Sequence, residues 1–256
     1  MQQISAKVFS KTLKTSLKSV LKDKEVYDTL RDNLKGVYFH STEQGVSIVS
    51  TNGHILYKKD YLATPLSLPL SNSVVLSVDV VKQIIADIKE HKDILVNVST
   101  TMNSITINGR EYSILDTEYL DYTRGISPYE DLRDTYIFNK KELSSILKDN
   151  KKNVSKRSKL VKLDLDTNSA IGSSLIFENY RDSKPAITKK ISISGSGNSL
   201  LIGLKLNLIE NALSIFPTKN DTSITMYSDS NPIHQVHFRN EDTNELVLVM
   251  PMRIIG

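Results

Sequence analysis

The chain has 256 residues, a net charge of +4 and no cysteine, which excludes disulfide frameworks, thiolate metal sites and thiol nucleophiles. Its length suits two domains of about 130 residues, each large enough for an ordinary core without covalent staples. A pI near 9.0 is compatible with a nucleic-acid partner, the lack of thiols fits a reducing, intracellular setting, and no window approaches the ~18 apolar residues that cross a bilayer.

The first segment, "ISAKVFSKTLKTSLKSVLK", is basic, serine-rich and free of acids, the composition of a transit peptide. It lacks arginine, however, and its pattern reads as a strand and a helix belonging to the fold. Ser10 is the expected N-cap, with Leu13, Leu17, Val20 and Leu21 at helical spacing after it. "GVYFHSTEQGVSIVSTNGHILYKK" alternates apolar and polar residues and is broken at Gln44 and Gly45 and again at Asn52 and Gly53; an Asn-Gly pair between such runs predicts a hairpin. "SVVLSVDVVKQIIADIKEH" predicts a strand running into a second helix that buries Val81, Ile84, Ile85 and Ile88. A meander with a turn at Asn108 and Gly109 follows.

"DYTRGISPYEDLRD" is polar, holds Gly125 and Pro128, and reads as a linker. The pattern then restarts. "YIFNKKELSSILKDN" echoes "KVFSKTLKTSLKSV", with Phe138 answering Phe9 and Leu143 and Leu147 answering Leu13 and Leu17. "SLLIGLKLNLIENALSIF" echoes the second strand-into-helix step. These echoes predict an internal duplication at a spacing of about 128 residues, with domains at 1–127 and 128–256. The class is α+β, each domain packing helices on antiparallel sheet.

Lys11, Lys14, Lys18 and Lys22 form one stripe on the first helix, opposite its leucines. Lys82 and Lys89 share a face of the second helix, and Lys140, Lys141 and Lys148 lie on the third, with Lys151 and Lys152 just beyond. The fourth offers Asn207, Glu210, Asn211 and Ser214 but no cation. One such helix is most simply a solvated face. Three in a duplicated fold make a joint positive surface for phosphates if the helices pack on one side of their sheets. No aromatics interleave with these lysines for base stacking, and no arginine cluster reads base edges, so the expected mode is sequence-independent backbone contact.

No catalytic or cofactor-binding constellation is present. The five histidines (His40, His54, His91, His234 and His237) show no metal-ligand spacing, and His234 and His237 read as a strand pair on opposite faces. No phosphate loop, dinucleotide fingerprint or nucleophile elbow occurs. "SGSGNS" at 194–199 reads as a turn, and Glu241 and Asp242 fall in a polar loop. The expectation is a protein without enzymatic activity, metal or cofactor.

The carboxy terminus, "LVLVMPMRIIG", is apolar where chain ends are usually polar and frayed. Its "VMPMRI" at 249–254 and the "STNGHIL" at 50–56 together resemble the bacterial β sliding clamp family of DNA polymerase III, whose signature pairs a T-D-G-H-R-L hairpin with a terminal M-P-M-R-L. "LKGVYFHSTEQGVSIVSTNGHIL", "SVVLSVDVVKQII", "DTEYLDYTRGISP" and "LLIGLKLNLIENAL" resemble their counterparts in the family's order, so the resemblance spans essentially the whole chain.

The resemblance implies clamp domains assembling into a ring around double-stranded DNA. It also implies an apolar pocket, formed where the two motifs meet, that docks short linear peptides of the DNA polymerase and the clamp loader. Carried over by position, that pocket uses Leu34, Thr51, Gly53, His54, Ile55, Leu56, Leu120, Gly125, Leu208, Leu248, Met250, Pro251, Met252, Arg253 and Ile254. Methionines, flexible and polarisable, suit a surface that accepts several partners. The chain departs from the family at Asn52 and Ile55, where the hairpin has Asp and Arg, at Leu120, where the family has proline, and at Ile255 and Gly256, which extend past its usual end. It matches the second and third of three family domains, so a six-domain ring requires a head-to-tail homotrimer. The expected role is a polymerase processivity factor, cytoplasmic in a bacterial cell or the host of a bacterial virus. The alternatives are a clamp-like decoy or transcription cofactor that does not close, and a nuclease, against which the missing acidic metal cluster counts.

Overall fold

The computed structural model describes residues 4–20, 34–62, 73–94, 99–101, 104–154, 159–168, 172–177, 185–219 and 221–254. The chain divides into two compact units, one of Met1–Tyr122 with Asp242–Glu245, the other of Thr123–Glu241 with Leu246–Gly256.

In the first unit the order is β1 (Ile4–Ser5), α1 (Ala6–Ser16), β2 (Gly36–Thr42), β3 (Gly45–Thr51), β4 (Ile55–Leu62), β5 (Val74–Ser77), α2 (Val78–Asp87), β6 (Asp93–Ile94), β7 (Ser99–Thr101), β8 (Ser104–Ile107) and β9 (Arg110–Ser113). Antiparallel pairing runs β4-β3-β2-β5 and β7-β8-β9, with β1 on β6. Both helices seat on one core: Phe9 and Leu13 of α1 and Val81 and Ile84 of α2 pack with Phe39, Ile48, Leu76, Ile105 and Tyr112. Phe9 meets Phe39 edge-on at 6.5 Å, a preferred aromatic geometry. Ile85 is only half-buried against this core.

α1 begins at Ala6, a turn before the expected start, and Ser10 lies inside it. Packing sets that start. Phe9 and Leu13 are fully buried, which requires helix from before Phe9, and the Ala6 N–H donates to the Lys92 carbonyl at 3.2 Å. Leu17 is the C-cap, Val20 is buried beyond the helix end, and Leu21 lies outside the described residues. α2 starts at Val78, with the Ser77 hydroxyl accepting from the Val80 N–H at 3.2 Å.

The second unit runs β10 (Asp134–Asn139), α3 (Lys140–Asn150), β11 (Leu160–Leu165), β12 (Ser173–Phe177), β13 (Ile187–Ile191), β14 (Ile193–Ser194), β15 (Leu200–Lys205), α4 (Leu206–Leu213), β16 (Ser223–Ser228), β17 (Val236–Asn240) and β18 (Glu245–Val249). One sheet is ordered β13-β12-β11-β15, and the other strands run β14-β10-β16-β17-β18. Strand–helix–strands–strand–helix–strands therefore occurs twice along the chain.

The register of this repeat differs from the sequence echo. α1 and α3 each have 11 residues and follow Ser5 and Asn139 as N-caps. Aligned on their first residues, Phe9 corresponds to Leu143, Leu13 to Leu147 and Ala6 to Lys140. Phe138 is a strand residue of β10, so it does not answer Phe9. The shared Phe-polar-Lys triplets are a local coincidence one helical turn out of phase.

Candidate functional site

The lysine stripe of α1 stands on a fixed platform. Thr12, Thr15 and Ser16 are buried beneath it. Thr12 Oγ1 lies 2.8 Å from the Tyr61 hydroxyl, and the Ser50 hydroxyl donates to the Ser16 carbonyl at 2.8 Å. On the opposite side Lys7, Lys11, Lys14 and Lys18 are all exposed; Lys22 lies outside the described residues. Lys11 Nζ lies 3.9 Å from the buried Glu245 carboxylate, which also accepts from the Tyr57 hydroxyl at 2.8 Å. Partial burial, and after it the charge of Lys11, lower the Lys18 pKa. On α2, Lys82 and Lys89 are exposed, with Lys82 Nζ 3.0 Å from Asp79.

In the second unit Lys141 and Lys148 are exposed, as is Lys152. Lys140 is not a surface cation. It stands where α1 has Ala6, is 8% exposed, and its ammonium donates to the carbonyls of Phe216 at 2.6 Å and Pro217 at 3.0 Å. Those carbonyls follow α4, so the side chain caps the turn that ends that helix, where a cation is favoured. It also borders a cleft of about 220 Å³ between α3 and α4, lined by Ser144, Leu147, Glu210, Leu213 and Ser214.

The hairpin turn of the first unit is closed by side chains. Thr51 pairs with Leu56, and Asn52 Oδ1 accepts from the N–H groups of His54 at 3.0 Å and Ile55 at 3.1 Å. Thr51 Oγ1 donates to the Ile55 carbonyl at 2.7 Å and accepts from the Gly53 N–H at 3.1 Å. Gly53 has φ 84°, which disfavours any side chain there. His54 is thereby held outward and exposed, while Leu34, Thr51, Ile55 and Leu56 are buried. Leu120 is 37% exposed.

Two residues that sequence reasoning passed over fix this region. The Tyr119 hydroxyl accepts from the Thr51 N–H at 3.1 Å, and its ring stacks on Tyr38 at 4.7 Å. The Tyr122 hydroxyl bonds His40 Nδ1 at 2.8 Å, and burial, followed by the Lys58 charge, lowers the His40 pKa. The available signal was two tyrosines three residues apart in an otherwise polar stretch.

In the second unit the tail lies on β15. The Met252 N–H donates to the Gly203 carbonyl at 2.8 Å, closing an antiparallel bridge. A Cβ on Gly203 would lie 2.9 Å from the Met252 carbonyl oxygen and 3.1 Å from Ile254 Cγ1, so only glycine admits this approach. Met250 is 37% exposed, Gly125 and Arg253 are exposed, and Pro251, Met252 and Ile254 are half-exposed. Leu208 and Leu248 are buried.

Among the described residues no group of three or more His, Asp or Glu could hold a metal ion. His234 and His237 are not a strand pair. His234 precedes β17, with Nδ1 2.6 Å from Asp229 Oδ2. His237 is fully buried in β17 with no partner on Nε2. Burial and then the neighbouring Arg239 lower its pKa from 6.5 to about 4. Between those values the unfolded chain binds more protons, so stability rises with pH through that window and is lost as pH falls through it. This group should contribute about 3 kcal/mol of the loss between pH 7 and pH 4. Urea unfolding of wild type and His237→Gln checks it: the wild type should lose more stability on acidification, and parallel losses would contradict it.

The chain matches solved structures over nearly its whole length. The DNA polymerase III β subunit of Pseudomonas aeruginosa matches with a TM-score of 0.82 at 14% identity, over 99% of this chain and 66% of that one. The fold is that of the bacterial sliding clamp. The DNA polymerase III β subunit of Thermotoga maritima shares the clamp fold with a TM-score of 0.81 at 19% identity, over 99% of this chain and 65% of that one. The sliding clamp of Bartonella birtlesii, in a structure with bound griselimycin, matches with a TM-score of 0.81 at 18% identity, over 98% of this chain and 66% of that one. The chain thus spans about two thirds of the length of these clamps. No protein-family profile and no curated protein matches it by sequence. Among the described residues no helix is long and apolar enough to cross a membrane.

Proposed function

We propose that this chain is a DNA sliding clamp, a non-enzymatic processivity factor that encircles double-stranded DNA and tethers a polymerase. The observation that carries the reading is the clamp fold itself, matched at a TM-score of 0.82 over 99% of the chain. Each compact unit is one clamp domain, corresponding to the second and third domains of the bacterial family. Exposed lysines on the helices meet the phosphate backbone without reading sequence. Met250 and Met252 of the tail on the second unit, and His54 with Leu120 on the first, dock linear peptides of the polymerase and clamp loader. The setting is the cytoplasm.

A ring of six such units needs three copies of a two-unit chain, joined head to tail. For a chain of 28.8 kDa, native mass across a dilution series should converge on about 86 kDa as concentration rises. Monomer or dimer alone at the highest concentration would contradict ring closure and favour a non-closing decoy.

A further inference from the structure

The four helices are unequal as phosphate-binding surfaces. α1 contains lysines and no Asp or Glu: Lys7, Lys11 and Lys14 lie within it and Lys18 just beyond. Steps of four, three and four residues put all four on one side, and all four are exposed. Partial burial, and after it the charge of Lys11, lower the Lys18 pKa, and Lys11 itself lies 3.9 Å from the buried Glu245 carboxylate. The stripe keeps an excess of positive charge that a phosphate would offset.

The corresponding stripe of α3, aligned on the first residue of each helix, is Lys141, Ser145, Lys148 and Lys152. It has a serine in place of Lys11, and two carboxylates, Glu142 and Asp149, flank it on one side. On α4, Glu210 takes the place that Lys82 holds on α2, and Lys151 pairs with it at 3.2 Å. α2 itself mixes Lys82 with Asp79 and Asp87.

We infer that α1 is the principal phosphate-tracking element of the chain, that Lys7 belongs to it, and that the second unit contributes the minor share of DNA contact. This rests on the proposed clamp function and assigns its DNA contact to one helix. A rigid seat favours the role, since α1 is fixed by Phe9, Leu13 and its buried hydroxyls while its lysines stand exposed on the other side. Contact through a single stripe of point charges also suits sliding, because ammonium groups give no fixed register on the duplex.

The test measures binding of a fluorescent duplex between about 50 and 200 mM salt. It compares wild type, Lys7, Lys11, Lys14 and Lys18 all changed to Gln, and Lys141, Lys148 and Lys152 all changed to Gln. Each phosphate that a variant leaves without its lysine should reduce the log–log salt slope by about 0.9. The α1 variant should lose most of the slope, and the α3 variant less than half as much. Four arginines in place of the α1 lysines should restore the slope. Lys7→Gln with Lys14→Gln serves if the fourfold variant misfolds, and should reduce the slope by about 1.8 when each lysine meets one phosphate. Equal or greater loss from the α3 variant overturns the assignment while leaving the clamp reading intact. Absence of salt-dependent binding in the wild type removes the clamp reading and the inference with it.

Discussion

Met252→Ala should weaken binding of a fluorescent carboxy-terminal peptide from the cognate polymerase by about thirtyfold, from roughly micromolar affinity. Truncating a side chain central to a docking surface typically costs about 2 kcal/mol or more, and micromolar binding corresponds to roughly −8 kcal/mol. Met252 is placed for that role because its own N–H is held by Gly203 at 2.8 Å. The backbone beside the side chain is therefore ordered before a peptide arrives, which reduces the ordering cost of binding. Deleting residues 250–256 should abolish peptide binding and leave native mass unchanged. Gly203→Ala tests the same surface without altering the tail's sequence. Its Cβ would press on the Met252 carbonyl at 2.9 Å, so the tail must lift and peptide affinity should fall. His54→Ala tests the hairpin of the first unit separately. Normal peptide binding by the truncated protein, or its dissociation into monomers, would make the tail a structural element and remove the assignment.

Local chemistry made much of the fold legible. Asn52 and Asn108 each mark a hairpin because their turns need what those residues supply: Asn52 gives its side-chain oxygen to two N–H groups, and Asn108 adopts φ 53°. Ser77 caps α2 by similar local chemistry, although the sequence predicts only a strand running into a helix and not the boundary between them. What failed depended on long-range packing. Ser10 has a cap's chemistry, yet the buried Phe9 and Leu13 draw the helix start back to Ala6. Lys140 has the composition of a surface cation, and only the position of Phe216 and Pro217, far along the chain, shows that it caps a turn. Tyr122 falls in the segment that reads as linker and Tyr119 just before it, while their hydroxyls brace His40 and the hairpin. Among the residues that the resemblance implies for a docking pocket, sequence marked the apolar ones but could not sort them. Ile55, Leu56, Leu208 and Leu248 are buried, whereas His54 and Leu120 of the first unit and Met250 of the second are exposed.

Encirclement is a statement about topology, and retention on circular against linear duplex reads topology directly. The protein is loaded onto nicked circular DNA with its cognate clamp loader and freed from excess by gel filtration in salt high enough to screen the lysines, since surface charge interactions fall off within about 8 Å at physiological ionic strength. Half the sample is then cut once with a restriction enzyme. A clamp held by its ring does not depend on tight charge pairing that salt could screen, and it leaves only through a DNA end. The protein should therefore remain with the circle and run off the cut molecule. Equal retention on circular and linear DNA, or release from both as salt rises, would contradict encirclement.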